Sequence, residues 1–241
     1  NSLGAALRAA LGGALDTAKA DDRVDGIVIS GHARAFSAGA DIKEFGIDAA
    51  TREPRLATLI DALESCPKPI VAAIHGVCLG GGLELALGAH FRVAHSQARI
   101  GLPEVKLGLL PGAGGTQRLP RAVGLEAGLD MIVSGKIVSA SSLRETPLFD
   151  AITDTDPIAA AVDFCLSVLA EQRPLRRLRD AKIRTDDPDI LDRFRQQAAS
   201  VASRLPAPLQ CVEAIGWCLD TPFEIALRKE REAFASLMAS P

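Results

Sequence analysis

Tyrosine is missing from this 241-residue chain, tryptophan occurs once, and aromatic residues make up only 4% of it. Proteins that grip single-stranded nucleic acid stack bases on such rings, so that partner class loses its platform. A dominant charge is lacking too: 27 Lys and Arg face 30 Asp and Glu, for a net charge of -3. That balance argues against broad binding to a phosphate backbone, and the arginine-rich run 173–179 reads as a solvated face or a linker. No apolar run is long enough to span a bilayer, and the opening residues do not read as a signal peptide. Neither nucleic acid nor membrane is therefore expected as a partner. The five cysteines (Cys66, Cys78, Cys165, Cys211, Cys218) are scattered, odd in number and form no CxxC or Cys/His cluster. Neither a disulfide framework nor a zinc site follows from them, and a reducing compartment fits. His32, His75, His90 and His95 show no ligand spacing with carboxylates or cysteines, so no metal is expected. His75 reads as a residue at a strand end.

What the chain does have is enough apolar material, 48%, to bury a sizeable core. An Ala/Leu-rich helix opens it. Residues 26–31 then read as a buried strand bounded by glycine, and Ile70 to His75 as a second, with a helix from about Glu53 to Ser65 between them. Gly80-Gly81-Gly82 opens a helix through Leu87, and Phe91 to Ala94 is another short strand. Strands alternating with helices at this spacing argue for an α/β fold. From about Pro157 the strand signals stop. Helical patterns run near 157–170, 189–204, 208–219 and 221–238, joined across 173–188 by a stretch rich in Pro, Arg and Asp.

Three segments carry residues suited to chemistry. In Phe36-Ser37-Ala38-Gly39-Ala40-Asp41-Ile42, small residues after a strand let backbone approach a ligand, Gly39 tolerates positive φ, and Asp41 suits a helix N-cap. An ordinary tight turn would read the same way. In Gly76-Val77-Cys78-Leu79-Gly80-Gly81-Gly82-Leu83-Glu84-Leu85-Ala86, glycines at a helix start leave N–H groups exposed where the helix dipole is positive, which suits a developing oxyanion. Glu84 follows one turn later, a carboxylate in an apolar helix that is costly unless used or paired. A phosphate-binding turn or a close-packed helix are the competing readings; the spacing is neither GxGxxG nor a P-loop. In Gly101-Leu102-Pro103-Glu104-Val105-Lys106-Leu107-Gly108, Glu104 again sits among apolar residues, with Lys106 as a salt-bridge partner if the segment is extended. Glycine and proline continue to a helix starting near Thr116.

Together, in this order, the three segments resemble the crotonase superfamily, the enoyl-CoA hydratases and isomerases, over about residues 1–152. The resemblance implies the crotonase (ClpP-like) α/β fold, a ββα superhelix core with a C-terminal all-helical region. It implies that the backbone N–H groups of Ala38 and Gly81 form an oxyanion hole and that Glu84 and Glu104 are the catalytic acid/base pair. Phe36, Ala38, Gly39, Ala40 and Asp41 match part of the wall that receives coenzyme A. Residues 206–215 and 222–230 further resemble the segment that joins hydratase to 3-hydroxyacyl-CoA dehydrogenase in multifunctional β-oxidation enzymes. The expected division is a crotonase core over 1–172, its first strand missing, and a helical region over 173–241 that would lead to a dehydrogenase part absent here. Pro147 stands where the family usually places a glycine that ends a helix, so the geometry of that helix end is expected to differ.

The implied chemistry is addition of water across the 2–3 double bond of an enoyl-CoA thioester, with movement of a double bond from position 3 to 2 as a second reaction. Glu84 would take the proton from water and Glu104 deliver one to C2, with exchange of those roles open. No tightly bound cofactor is implied: coenzyme A arrives with the acyl-CoA substrate, and NAD would matter only to a dehydrogenase part beyond this chain. The same resemblance implies a homotrimer or hexamer, or a monomer within a multifunctional chain. It implies a bacterial cytoplasm, or a peroxisome or mitochondrial matrix in a eukaryote. A non-catalytic acyl-CoA-binding module and another crotonase reaction such as thioester hydrolysis are the alternatives. The presence of both glutamates speaks against each.

Overall fold

The computed structural model describes residues 1–44, 52–202 and 206–239. An opening helix α1 (Ala5–Ala20) leads to β1 (Ile27–Ser30), and α2 (Leu56–Glu64) leads to β2 (Ile70–Ile74). Every residue of β2 is buried. Its side chains divide by the two-residue period of a strand: Val71 and Ala73 face one cluster, while Ile70, Ala72 and Ile74 join the main core. Burial on both faces explains why this strand reads as an unbroken apolar run.

From β2 onward the chain repeats a simple unit. The strand β2 lies in a large sheet, β3 (Val77–Leu79) in a small one, and α3 (Gly81–Leu87) follows. Next, β4 (Phe91–His95) returns to the large sheet and β5 (Arg99–Gly101) to the small one. A 3-10 turn (Glu104–Leu107) and α4 (Gly115–Val123) follow. A third pass runs through α5 (Leu125–Ser134), β6 (Val138–Ser139) and β7 (Ala151–Thr153). Among the described residues the large sheet has the order β1-β2-β4-β7, all parallel, and the small sheet the order β3-β5-β6. This is the expected superhelix of strand, strand and helix. Because β3 pairs Leu79 with Gly101, the two chain ends that leave the small sheet, one toward Gly80 and one toward Glu104, emerge side by side.

After β7 the described chain is helical, as expected: α6 (Pro157–Ala170), α7 (Ile190–Ala202), α8 (Ala207–Asp220) and α9 (Phe223–Ala239). The expected end of α7 at 203–204 lies outside the described residues. Pro157 occupies the first turn of α6 and Asp156 caps it by accepting from Ile158 N–H, a start signal visible in sequence. The helix α6 covers β1, β2 and β4 through Ala161, Cys165 and Val168. The helices α7 and α8 add Ile190, Cys211, Val212 and Ile215 to the main core.

The arginine-rich run is not simply a solvated linker. Arg173 pairs with Glu171, Arg176 with Asp150, Arg177 with Asp180, and Arg179 reaches both Glu64 and Glu224. Of these ion pairs, those of Arg176 and Arg179 reach residues distant in sequence, while those of Arg173 and Arg177 are local; Arg173, Arg176 and Arg177 are exposed, so the run is a solvated face tied down at two points. Pro147 falls in the turn after a 3-10 segment at Ala140–Leu143. All five cysteines are free and buried.

Candidate active site

The loop after β1 is pinned at both ends. Ser37 bridges to β3, accepting from Leu79 N–H (3.0 Å) and donating its own N–H to Val77 (3.0 Å). Gly39 is left-handed at φ +99°, and its carbonyl accepts from Leu3 N–H (2.9 Å). Asp41 caps the next turn, its carboxylate accepting from Lys43 N–H at 3.1 Å; any helix beyond Glu44 lies outside the described residues.

This loop runs directly over the start of α3, which explains why the sequence needs glycine there. A Cβ on Gly82 would sit 2.5 Å from the Ser37 carbonyl oxygen, and one on Gly81 would sit 3.3 Å from Ala40 N. A Cβ on Gly39 would in turn meet Gly81 N at 3.1 Å. The Ala38 and Gly81 backbones are thereby brought to one place. Among the described residues neither N–H donates to a protein acceptor. The Gly81 N–H stands at a helix N-terminus, where intrahelical acceptors run out. Ala38 is exposed while its neighbours Phe36, Ser37 and Gly39 are buried.

Glu84 lies one turn into α3 and is only 4% exposed. Its Oε1 accepts from Ala113 N–H and Gly115 N–H, each at 2.8 Å. Glu104 begins the 3-10 turn after β5. That turn is not extended, so Lys106 points elsewhere and is exposed, and the Glu104–Lys106 ion pair does not form. The Glu104 carboxyl lies over Gly80, where a Cβ would meet Oε1 at 3.2 Å. Gly80 takes φ +54°, a conformation glycine adopts freely. Glu104 Oε2 is buried without a hydrogen-bond partner among the described residues, an uncommon state for a carboxyl oxygen.

Burial raises both carboxyls above the ordinary carboxylate range. At Glu84, desolvation is opposed by the two N–H groups and by the Arg118 cation. At Glu104, desolvation is joined by repulsion from Glu84 and Glu230, and the carboxyl is held well above its ordinary value. Among the described residues no group of three or more His, Cys, Asp or Glu is arranged to hold a metal ion, and no helix is long and apolar enough to cross a membrane.

One residue at this site was not singled out in the sequence. Glu230, on α9, is 1% exposed and accepts from Gly114 N–H (2.6 Å), Thr116 N–H (3.0 Å) and the Thr116 hydroxyl. It lies in a charged stretch, Arg228-Lys229-Glu230-Arg231-Glu232, which looks like any solvated helix face. Its separation of 116 residues from Gly114 left no local signal.

The profile of the enoyl-CoA hydratase/isomerase family matches residues 1–202. The peroxisomal bifunctional enzyme of Danio rerio is 41% identical over 244 residues, covering 100% of this chain and 33% of that protein. A probable enoyl-CoA hydratase of Bacillus subtilis is 48% identical over 153 residues, 61% of this chain and 59% of that protein. The chain thus spans about a third of the length of the bifunctional relatives it matches. Among solved structures, the enoyl-CoA hydratase of Bacillus anthracis aligns with a TM-score of 0.65 at 27% identity, covering 99% of this chain and 83% of that one.

Proposed function

Because the chain belongs to the enoyl-CoA hydratase/isomerase family, we propose that it hydrates 2-enoyl-CoA thioesters in fatty-acid β-oxidation, with Glu84 and Glu104 as the acid/base pair. The observation that carries this reading is the pair of shielded carboxyls, both pushed up by burial. Beside them lie two backbone N–H groups, of Ala38 and Gly81, without acceptors among the described residues.

The thioester carbonyl accepts hydrogen bonds from Ala38 N–H and Gly81 N–H. Water adds its oxygen to C3 while Glu84 takes a proton from it. The π electrons of the 2–3 bond move toward the carbonyl, and charge gathers on that oxygen as an enolate. Glu104 gives a proton to C2, and the enolate collapses to the 3-hydroxyacyl thioester. Glu84 ends with one proton gained and Glu104 with one lost, so transfer between the two resets the pair. Each donor to the oxyanion lowers the barrier by about 3–4 kcal/mol, and each positioned acid or base contributes roughly 10²–10⁴ in rate. Residues 36–41 form part of the wall for coenzyme A, as the backbone of a pinned loop with a capped turn.

The same constellation performs double-bond migration when no water is held: one glutamate removes a proton from C2 or C4 and the enolate is reprotonated at the other end. The names of relatives that are bifunctional, together with a span of a third of their length, support a place for this chain within a larger β-oxidation enzyme. NAD would belong to such a further part.

Loss of the enoyl-thioester absorbance with crotonyl-CoA and a longer 2-enoyl-CoA tests the reading on the full protein. Glu84→Ala and Glu104→Ala are each expected to lower kcat by roughly 10²–10⁴. A wild type that binds CoA esters without hydrating them would overturn the assignment.

A further inference from the structure

The turn between Pro111 and α4 offers its backbone N–H groups in strict alternation. Ala113 and Gly115 donate to Glu84, while Gly114 and Thr116 donate to Glu230. Two carboxylates from helices far apart in sequence therefore hold one helix start from opposite sides. The arrangement uses the donors that a helix N-terminus leaves unmatched. It is also reinforced: Gln117 Nε2 donates to the Thr116 hydroxyl (3.0 Å) and to the Ala214 carbonyl of α8 (2.7 Å), and the Thr116 hydroxyl donates to Glu230.

We propose that Glu230 is a positioning residue of the hydratase site, fixing the Gly114–Thr116 turn that aims Glu84. The C-terminal helix α9 thereby becomes a working part of the active centre. The inference rests on the hydratase reading above and deepens it. Glu230 touches no reacting atom; it acts through the turn and through its charge.

The charged and titratable groups that face it are Glu84 on α3, Glu104 on the 3-10 turn, Arg118 on α4, and Cys211 and Cys218 on α8. Burial, and next the Glu84 charge, push the Glu230 carboxyl up to about 8, against the pull of its Thr116 and Gly114 donors and of Arg118. When ionised, Glu230 adds to the repulsion that raises the Glu104 carboxyl. Replacement by an amide of the same shape removes that repulsion and turns one acceptor into a donor facing an N–H.

Glu230→Gln, assayed by hydration of crotonyl-CoA across pH on the full protein, is expected to lower kcat by roughly 10-fold or more with little change in KM. The alkaline limb of kcat should move toward lower pH by roughly half a unit or more. The limb shift separates positioning from bulk stability, which would not move it. Thr116→Val removes only the hydroxyl from the network and is expected to lower kcat a few-fold at unchanged KM. If Glu230→Gln fails to fold, Thr116→Val decides the matter. A folded Glu230→Gln enzyme with wild-type kcat and an unmoved alkaline limb, or, where that variant does not fold, Thr116→Val at wild-type kcat, would overturn the proposal while leaving Glu84 and Glu104 in place. A wild type that does not hydrate at all sinks both readings together.

Discussion

At the scale of single residues, the site is built as much from absent side chains as from present ones. Gly82 has backbone oxygen of Ser37 where its Cβ would go, and backbone cannot swing aside as the end of a flexible side chain can. Gly82→Ala should therefore cost about 1–3 kcal/mol of stability, the usual penalty for overpacking, and separate the Ala38 and Gly81 donors. Urea denaturation would read the first effect and crotonyl-CoA hydration the second; a variant with wild-type stability would show that the contact relaxes freely. The two glutamates were legible in sequence because a carboxylate amid apolar neighbours violates ordinary patterning. Glu230 was not, because it violates nothing locally: its neighbours Arg228, Lys229, Arg231 and Glu232 are charged, and its partners lie on another helix.

At the scale of elements, length decided what could be read. The five-residue β2, the long helices α1 and α6, and the glycine-opened α3 announce themselves through periodicity, caps or apolar runs. The strands β3, β5, β6 and β7 have three residues or fewer, too short for a period-2 pattern to emerge. The helix α5 is closed off by Gly124 and Gly135, and went unread because it follows α4 almost without a break. Packing between elements also hid an ion pair. Arg118 on α4 and Glu64 on α2, both 1% exposed, meet at 2.7 Å, and Asp61 adds a partner at 3.3 Å. Removing one side of a buried pair strands the other charge, at about 3–5 kcal/mol. Glu64→Ala should thus lower the unfolding free energy by about that amount in a denaturant titration. A loss below about 1 kcal/mol would mean that Asp61 alone satisfies the arginine.

At the scale of the whole molecule, the superhelix explains how residues 38, 81, 84 and 104 converge. Each turn of strand, strand and helix delivers its connecting loop to the same side. The C-terminal helices then close the arrangement, with α8 filling the core through Cys211, Val212 and Ile215 and α9 supplying Glu230. The α/β class and the helical finish were both legible; the depth to which the last helices enter the core was not, since amphipathic spacing shows that a helix has an apolar face but not what it covers.

The five buried thiols give this chain a built-in clock. Burial raises Cys78, Cys165 and Cys211, and brings Cys218 to about 11, so reactive thiolate is scarce while the fold is closed. Electrophilic labelling then proceeds no faster than the chain exposes each sulfur. Cys78 stands in β3 of the small sheet and Cys211 in α8, so peptide-resolved labelling times would separate opening of the superhelix from detachment of its helical end. Equal, slow rates at both positions would mean that the two open as one; faster reaction at Cys211 would mean that the C-terminal helices leave first, taking Glu230 with them.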